Sequence, residues 1–225
     1  MLFNSFTFIA FFLVVFAVHS LPLPWRLRKL NLLLASYLFY AAWNPPFVAL
    51  LWVSTIIDWF AARGIASAKG QWGRRGWLTV SLCTNLGMLV FFKYAQPALE
   101  LFTRIAADVG LEYQVPTSDW NIVLPIGISF YTFQTLSYTI DVYRGELRPW
   151  SSLLDFSLFV AFFPQLIAGP IVRASQFLPQ CEEPKRASSD EVGWGLSLIV
   201  LGLFMKIVLA DSFFAPVVNT VYTPG

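Results

Sequence analysis

Seven stretches of the chain are almost uniformly apolar: residues 4–21, 30–43, 47–62, 77–92, 124–143, 153–172 and 192–210. A helix needs about 20 apolar residues to cross a bilayer, within a usable range of about 17 to 25. Stretch 30–43 is short and gains length only by extending back into the basic residues before it. The connections carry Pro-Leu-Pro, Asn-Pro-Pro and glycine-rich segments, which interrupt helices. Trp25, Trp43, Trp59, Trp77, Tyr94, Trp120 and Trp150 gather near the ends of the stretches, where an interfacial aromatic belt belongs. The pattern predicts an all-α, polytopic transmembrane protein of six or seven hydrophobic segments, without an internal repeat or a soluble domain.

Composition strengthens that reading. Hydrophobic residues make up 57% of the 225 and charged residues only 12%, half of the roughly 25% charge of a soluble domain. So little polar surface could not cover a water-soluble globule. A net charge of +2, with no basic block, gives no nucleic-acid signature. Cys83 and Cys181 stand apart with no metal-ligand spacing, and the chain has one histidine, so no metal site is expected. The first stretch lacks a positively charged leader, and Arg26, Arg28 and Lys29 follow it. It therefore reads as an uncleaved first membrane helix.

Positive charge sets orientation. Arg26, Arg28 and Lys29, then Arg63, Lys69, Arg74 and Arg75, then Arg144 and Arg148 fall in alternate loops. Those loops are assigned to the cytoplasm and the N-terminus to the outside. The connection from Lys93 to Trp120 then lies outside, with a surface helix at 95–110 whose Leu99, Phe102, Ile105 and Ala106 share a face. The sixth stretch contains FFPQLIAGPIV. If it crosses, the loop cations divide nine inside to five outside; if it turns back, they divide twelve to two. The charge rule favours the re-entrant path, which a protein tolerates where its own groups or a wet cavity satisfy the backbone.

The fifth stretch is not uniformly apolar. Gly127, Tyr131, Gln134, Tyr138 and Asp141 recur at intervals of four, three, four and three, on one helical face. Ser129, Thr132, Thr135 and Thr139 lie elsewhere, where several can bond back to their own helix. A face with Gln, two Tyr and Asp is costly against lipid, so it should look toward neighbouring helices or a wet cavity. Two readings stand: hydrogen bonds between helices, or the lining of a substrate path.

LPIGISFYTFQTLSYTIDVYRGE, followed by FFPQLIAGPIVR, resembles the membrane-bound O-acyltransferase superfamily, as do MLFNSFTFIAFF, LLLASYLFYAAWNP, the FFKY at 91–94 and GLFMKIVLAD at 202–211. The branch is similar to the bacterial alginate O-acetyltransferases, with the D-alanine-transfer protein of teichoic acid synthesis as a relative. The resemblance implies a helical enzyme of the cell's inner membrane with a central funnel. It implies passage of an acetyl group from an intracellular acyl-thioester co-substrate toward an exported polysaccharide, through external partner proteins, with no bound cofactor. Acyl transfer needs a base to take the acceptor hydroxyl's proton and donors for the oxyanion. The family's base is a histidine.

Here the chain departs from the family. His19, in VFAVHSLPLP, lies outside the family's histidine motif, and the later motifs are missing. The 225 residues therefore read as the N-terminal portion of a single longer transmembrane domain, with no catalytic residue of its own. Tyr131, Gln134, Tyr138, Asp141, Arg144, Gln165 and Arg173 are its candidates for a substrate path. Asp58 is expected to pair with Arg63 or reach the interface, and Lys206 to be interfacial with Asp211 nearby. A small-molecule transporter and a non-catalytic membrane scaffold are the rival functions. For topology, a cysteine at position 72 should resist labelling from outside intact cells, whereas one at position 113 should be modified. Labelling of position 72 from outside would reverse the assignment.

Overall fold

The computed structural model describes residues 3, 5–109, 123–167, 169–184 and 187–222, and every regular element among them is helical. The α-helices are α1 (Phe6–Ser20), α2 (Trp25–Ala41), α3 (Val48–Ser67), α4 (Gln71–Asp108), α5 (Ile128–Arg144), α6 (Leu153–Ala161), α7 (Phe163–Leu166), α8 (Ala174–Phe177), α9 (Ser189–Phe204) and α10 (Ala215–Tyr222). Single 3₁₀ turns precede α3 and follow α8, at Pro45–Phe47 and Leu178–Cys181, and Met205–Phe214 is π-helical. Among the described residues Pro45–Ser67, Gln71–Asp108 and Ser189–Val218 are long and apolar enough to cross a membrane; Phe6–Ser20 is a shorter apolar helix.

The expected surface helix at 95–110 is not separate. It continues α4 through Pro97, making one helix of 38 residues. A mid-helix proline removes one ladder bond and bends the helix more readily than it ends it. At 1.5 Å per residue α4 is about 57 Å long, well beyond a hydrocarbon core of about 30 Å. Position 113 and Trp120 lie outside the described residues.

Residues 19–182 form one compact unit. At its centre α3, α4 and α5 pack on one another, while α2 packs on α6 and α7. Leu51, Ala62, Ile65, Tyr131, Tyr138, Phe156 and Phe159 share the main core. α5 begins at Gly127, whose φ of +79° is a conformation that side chains rarely adopt. A Cβ there would also lie 2.5 Å from the Leu166 carbonyl oxygen, so glycine lets α5 and α7 meet. α5 ends at Gly145 (φ +81°), where the Glu146 N–H donates to the Asp141 carbonyl at 2.9 Å, a Schellman closure.

The sixth apolar stretch is broken. α6 has nine residues and α7 four, with Phe162 non-helical between them. Nine residues rise about 14 Å, under half of a crossing. The return path can be read from one cation. The Lys29 ammonium, 7% exposed, is ion-paired with Asp155 in the first turn of α6. The same ammonium donates to the Cys181 carbonyl at 3.1 Å, and Trp25 Nε1 donates to that carbonyl at 2.7 Å. The chain thus leaves Lys29 at Asp155 and is back beside it at Cys181. Phe177 lies against Phe159 and Phe162, with ring centroids 5.7 and 5.4 Å apart, which holds the two limbs together. This is a hairpin closed on its own starting point. It also removes Lys29 from the set of free loop cations.

Residues 1–18 and 183–225 make up the second unit. Its α9 starts in a capping box: Glu191 N–H donates to Ser188 Oγ (3.2 Å), and Ser188 N–H donates to Glu191 Oε2 (2.7 Å). In the π-helical stretch residues five apart are brought together, as where Ser212 Oγ donates to the Ile207 carbonyl at 2.7 Å. Lys206 forms an ion pair with Asp211 at the same spacing. Both charges are exposed on an apolar helix, where pairing lowers their cost.

Removing one partner of a buried ion pair costs about 3–5 kcal/mol, whereas replacing both with apolar groups is often neutral. Lys29→Met should therefore lower the unfolding midpoint of the purified protein sharply, and Lys29→Met with Asp155→Leu should recover most of the loss. Circular dichroism melts in detergent read both. A double variant no better than the single would show that the ammonium's bond to Cys181 carries the hairpin instead.

Candidate functional site

The polar face of α5 turns inward. Tyr131, Gln134 and Tyr138 are buried, whereas Phe130 and Phe133 are 38% and 49% exposed. Each buried group meets a different part of the hairpin. Gln134 Nε2 donates to the Phe159 carbonyl at 2.7 Å, and Gln165 Nε2 donates to the same oxygen at 3.0 Å. That carbonyl is in the last turn of α6, where a helix leaves its acceptors unpaired. On the other side of the break, Phe163 N–H donates to Ser36 Oγ at 3.2 Å. Two amides and a hydroxyl thus replace the helix bonds that the turn gives up. Tyr138 Oη accepts the Trp150 N–H at 2.9 Å and so fixes the approach to α6.

Tyr131 differs. Its ring is fully buried, and its hydroxyl turns to that of Tyr40 rather than to the backbone. Tyr40, beside it, spends its own hydroxyl on the Ile126 carbonyl at 3.0 Å.

The remaining candidates are not gathered there. Asp141 is half-buried, and its carbonyl takes the N–H of Glu146 and Leu147. Arg144 is exposed and pairs with Glu146 at 3.1 Å. Arg173 is exposed at the start of α8. His19 is half-buried at the end of α1, its ring edge-on to Trp25 with centroids 6.2 Å apart.

A second polar cluster was not anticipated. Asp58 is fully buried and does not pair with Arg63. Arg63 instead donates to the Ser151 carbonyl (2.8 Å) and lies 3.6 Å over the Trp59 ring. The carboxylate of Asp58 accepts from Ser81 Oγ and from Asn85 Nδ2, the latter at 3.0 and 2.9 Å to its two oxygens. Asn85 Oδ1 in turn accepts from Ser54 Oγ (2.6 Å) and Thr135 Oγ1 (3.4 Å). Ser54 and Asp58 on α3, Ser81 and Asn85 on α4, and Thr135 and Thr139 on α5 are each four residues apart. Each helix therefore presents one polar pair to a common seam. That spacing was the signal in the sequence; local pairing with Arg63 was the wrong inference from it, because α4 supplies closer donors. The cluster binds three helices where lipid offers no competing hydrogen bonds.

The fold and site together define a helical membrane protein whose hairpin is hydrogen-bonded into a bundle. The chain is 38% identical to "Probable alginate O-acetylase AlgI" of Azotobacter vinelandii, across 97% of this chain and 43% of that protein. It is 37% identical to the protein of the same name from Pseudomonas aeruginosa, across 96% and 41%. With "Peptidoglycan O-acetyltransferase" of Helicobacter pylori it shares 34% identity, across 82% and 38%. Over nearly its whole length the chain is thus similar to proteins named as alginate O-acetylases, and over most of it to one named as a peptidoglycan O-acetyltransferase. It spans less than half the length of these relatives. No family model matches the chain, and no solved structure does.

Gln134→Leu strips one of the two donors from the Phe159 carbonyl, Gln165 remaining, and should destabilise the protein by about 0.5–1.5 kcal/mol, the usual net worth of one hydrogen bond. Phe133→Leu, on the exposed face of the same helix, should change stability by less than about 0.5 kcal/mol. Equal losses in the two variants, by denaturant titration in detergent, would assign Gln134 no role in holding the break.

Proposed function

We propose that the chain is part of a membrane O-acyltransferase that moves an acetyl group from an acyl-thioester donor in the cytoplasm to a hydroxyl of an exported polysaccharide. The observation that carries this reading is the extent of the similarity: relatives named for O-acetyl transfer align with nearly all of it. Those relatives are named for alginate and for peptidoglycan, both of which offer carbohydrate hydroxyls. The hairpin held by Gln134 and Gln165 gives the bundle a non-helical backbone at depth, which a membrane protein keeps where it borders protein or a water-filled cavity. A polysaccharide hydroxyl and a thioester need such a place to meet.

The chemistry asks for three contributions. Proximity holds the hydroxyl against the thioester carbonyl. A base removes the hydroxyl proton, worth typically about 10²–10⁴-fold. Hydrogen-bond donors steady the oxyanion as the thiolate leaves. The Tyr131 hydroxyl, paired with Tyr40, is this chain's candidate for the last of these, or for orienting the acceptor. Gln134, Tyr138 and Gln165 act through the hairpin's shape, and Asp141, Arg144 and Arg173, which lie apart from them, would meet the donor or partner proteins. The histidine motif to which the resemblance gives the base role is not among these groups. His19 packs on Trp25, away from the α5 face in sequence and in contacts. The base therefore comes from outside these 225 residues, and the chain alone is inactive.

The assay follows directly. The purified 225-residue chain, given an acetyl-thioester and an oligosaccharide acceptor, should show transfer no faster than a protein-free control, and His19→Ala should match it. Turnover by the chain that disappears in His19→Ala would give the base role to His19 and sink this division of labour.

A further inference from the structure

At the end of the bundle where α3 gives way to α4, a basic recess stands open. One lobe, of about 490 Å³, is lined by Lys69, Gly70, Gln71, Arg74 and Tyr143. The other, of about 290 Å³, shares Arg74 and is bordered by Arg148. Together they have the size of a ligand pocket, but their cations select for an anion. Among the described residues no carboxylate pairs with Lys69, Arg74 or Arg148. The nearby Glu146 is taken by Arg144.

Arg74 stands between the lobes. It donates to the Tyr143 carbonyl, and its guanidinium carbon lies 5.3 Å from the centre of the Tyr143 ring. Its Nε is shielded from solvent and has no partner among the described residues. The Tyr143 carbonyl and ring thus hold the guanidinium at the wall shared by both lobes, where its charge meets no carboxylate among the described residues. α4 adds to this. It starts at Gly70 with no side-chain cap, and Gly70 and Gln71 line the recess, so the positive end of the helix dipole stands at its wall.

We propose that this recess holds the phosphate of an anionic lipid headgroup, with Lys69, Arg74 and Arg148 as its cations and the first turn of α4 supplying neutral donors. The assignment to lipid rests on the membrane reading, which puts the 63–76 and 144–150 loops at the cytoplasmic surface. Trp72, 84% exposed, and Trp77, 42% exposed, follow on α4, where interfacial tryptophans meet the headgroup layer. Anionic lipids concentrate on that leaflet and attract basic segments beside membrane helices. The site is separate from acyl transfer, so its failure leaves the functional reading intact.

The test is native mass spectrometry of the full 225-residue chain in neutral detergent, titrated with dihexanoyl-phosphatidylglycerol. Dihexanoyl-phosphatidylcholine and inorganic phosphate form the other arms. The phosphatidylglycerol should bind at least about tenfold more tightly than the other two. Lys69→Gln with Arg148→Gln should abolish most of that preference. Both side chains are exposed, so a matching circular dichroism melt should confirm an intact fold. Arg104→Gln, an exposed arginine on the far half of α4, should leave binding unchanged. Retention of lipid affinity by the double variant, or an equal loss in Arg104→Gln, would overturn the site. Inorganic phosphate binding as tightly as the lipid would overturn the lipid as its occupant.

Discussion

The ammonium of Lys29 is the point from which the larger unit is organised. It is buried near the start of α2, paired with Asp155 and bonded to the Cys181 carbonyl. A charge in that position is tolerable only while its partners stay. Because those partners are the two ends of the hairpin, satisfying one cation closes a loop of chain that has no continuous helix to hold it. The break inside the loop then raises a second demand, for the Phe159 carbonyl and the Phe163 N–H. Gln134, Gln165 and Ser36 meet it. The polar groups in this apolar protein are largely accounted for by those two demands and by the seam around Asp58.

That accounting separates structural polarity from available polarity. Gln134 and Tyr138, which a wet stripe would offer to a substrate, are already committed to the backbone. Tyr131 turns its hydroxyl to Tyr40, and Arg74 gives a donor to the Tyr143 carbonyl while facing no carboxylate among the described residues. The polarity left over is therefore charge in the recess beside α4, not a row of groups along α5.

Much of the architecture was legible in the chain. Apolar stretches placed the helices, because the period and length of a membrane helix are set by local geometry and bilayer thickness. The four-three spacing of Tyr131, Gln134 and Tyr138 identified a shared face, and the placement of Lys and Arg favoured a hairpin over a crossing. Contiguous family strings located the relatives. Errors arose where a local rule was asked about a distant partner. The segment at 95–110 looked like a separate surface helix and is the far half of α4, which runs on through Pro97. Asp58 looked like a partner for Arg63, five residues on, and instead serves α4.

By itself, then, the sequence determined which segments are helical, that they belong in a membrane, which residues share a helix face, and which family the chain resembles. All of these depend on residues close together along the chain. Tertiary structure alone decided what each face meets. Lys29 with Asp155, Gln134 and Gln165 on one carbonyl, and three i, i+4 polar pairs on one seam are each joined across segments far apart in sequence. Helical periodicity fixes the direction of a side chain relative to its own axis only; which donor waits opposite depends on how whole helices pack, and that is a property of the folded bundle.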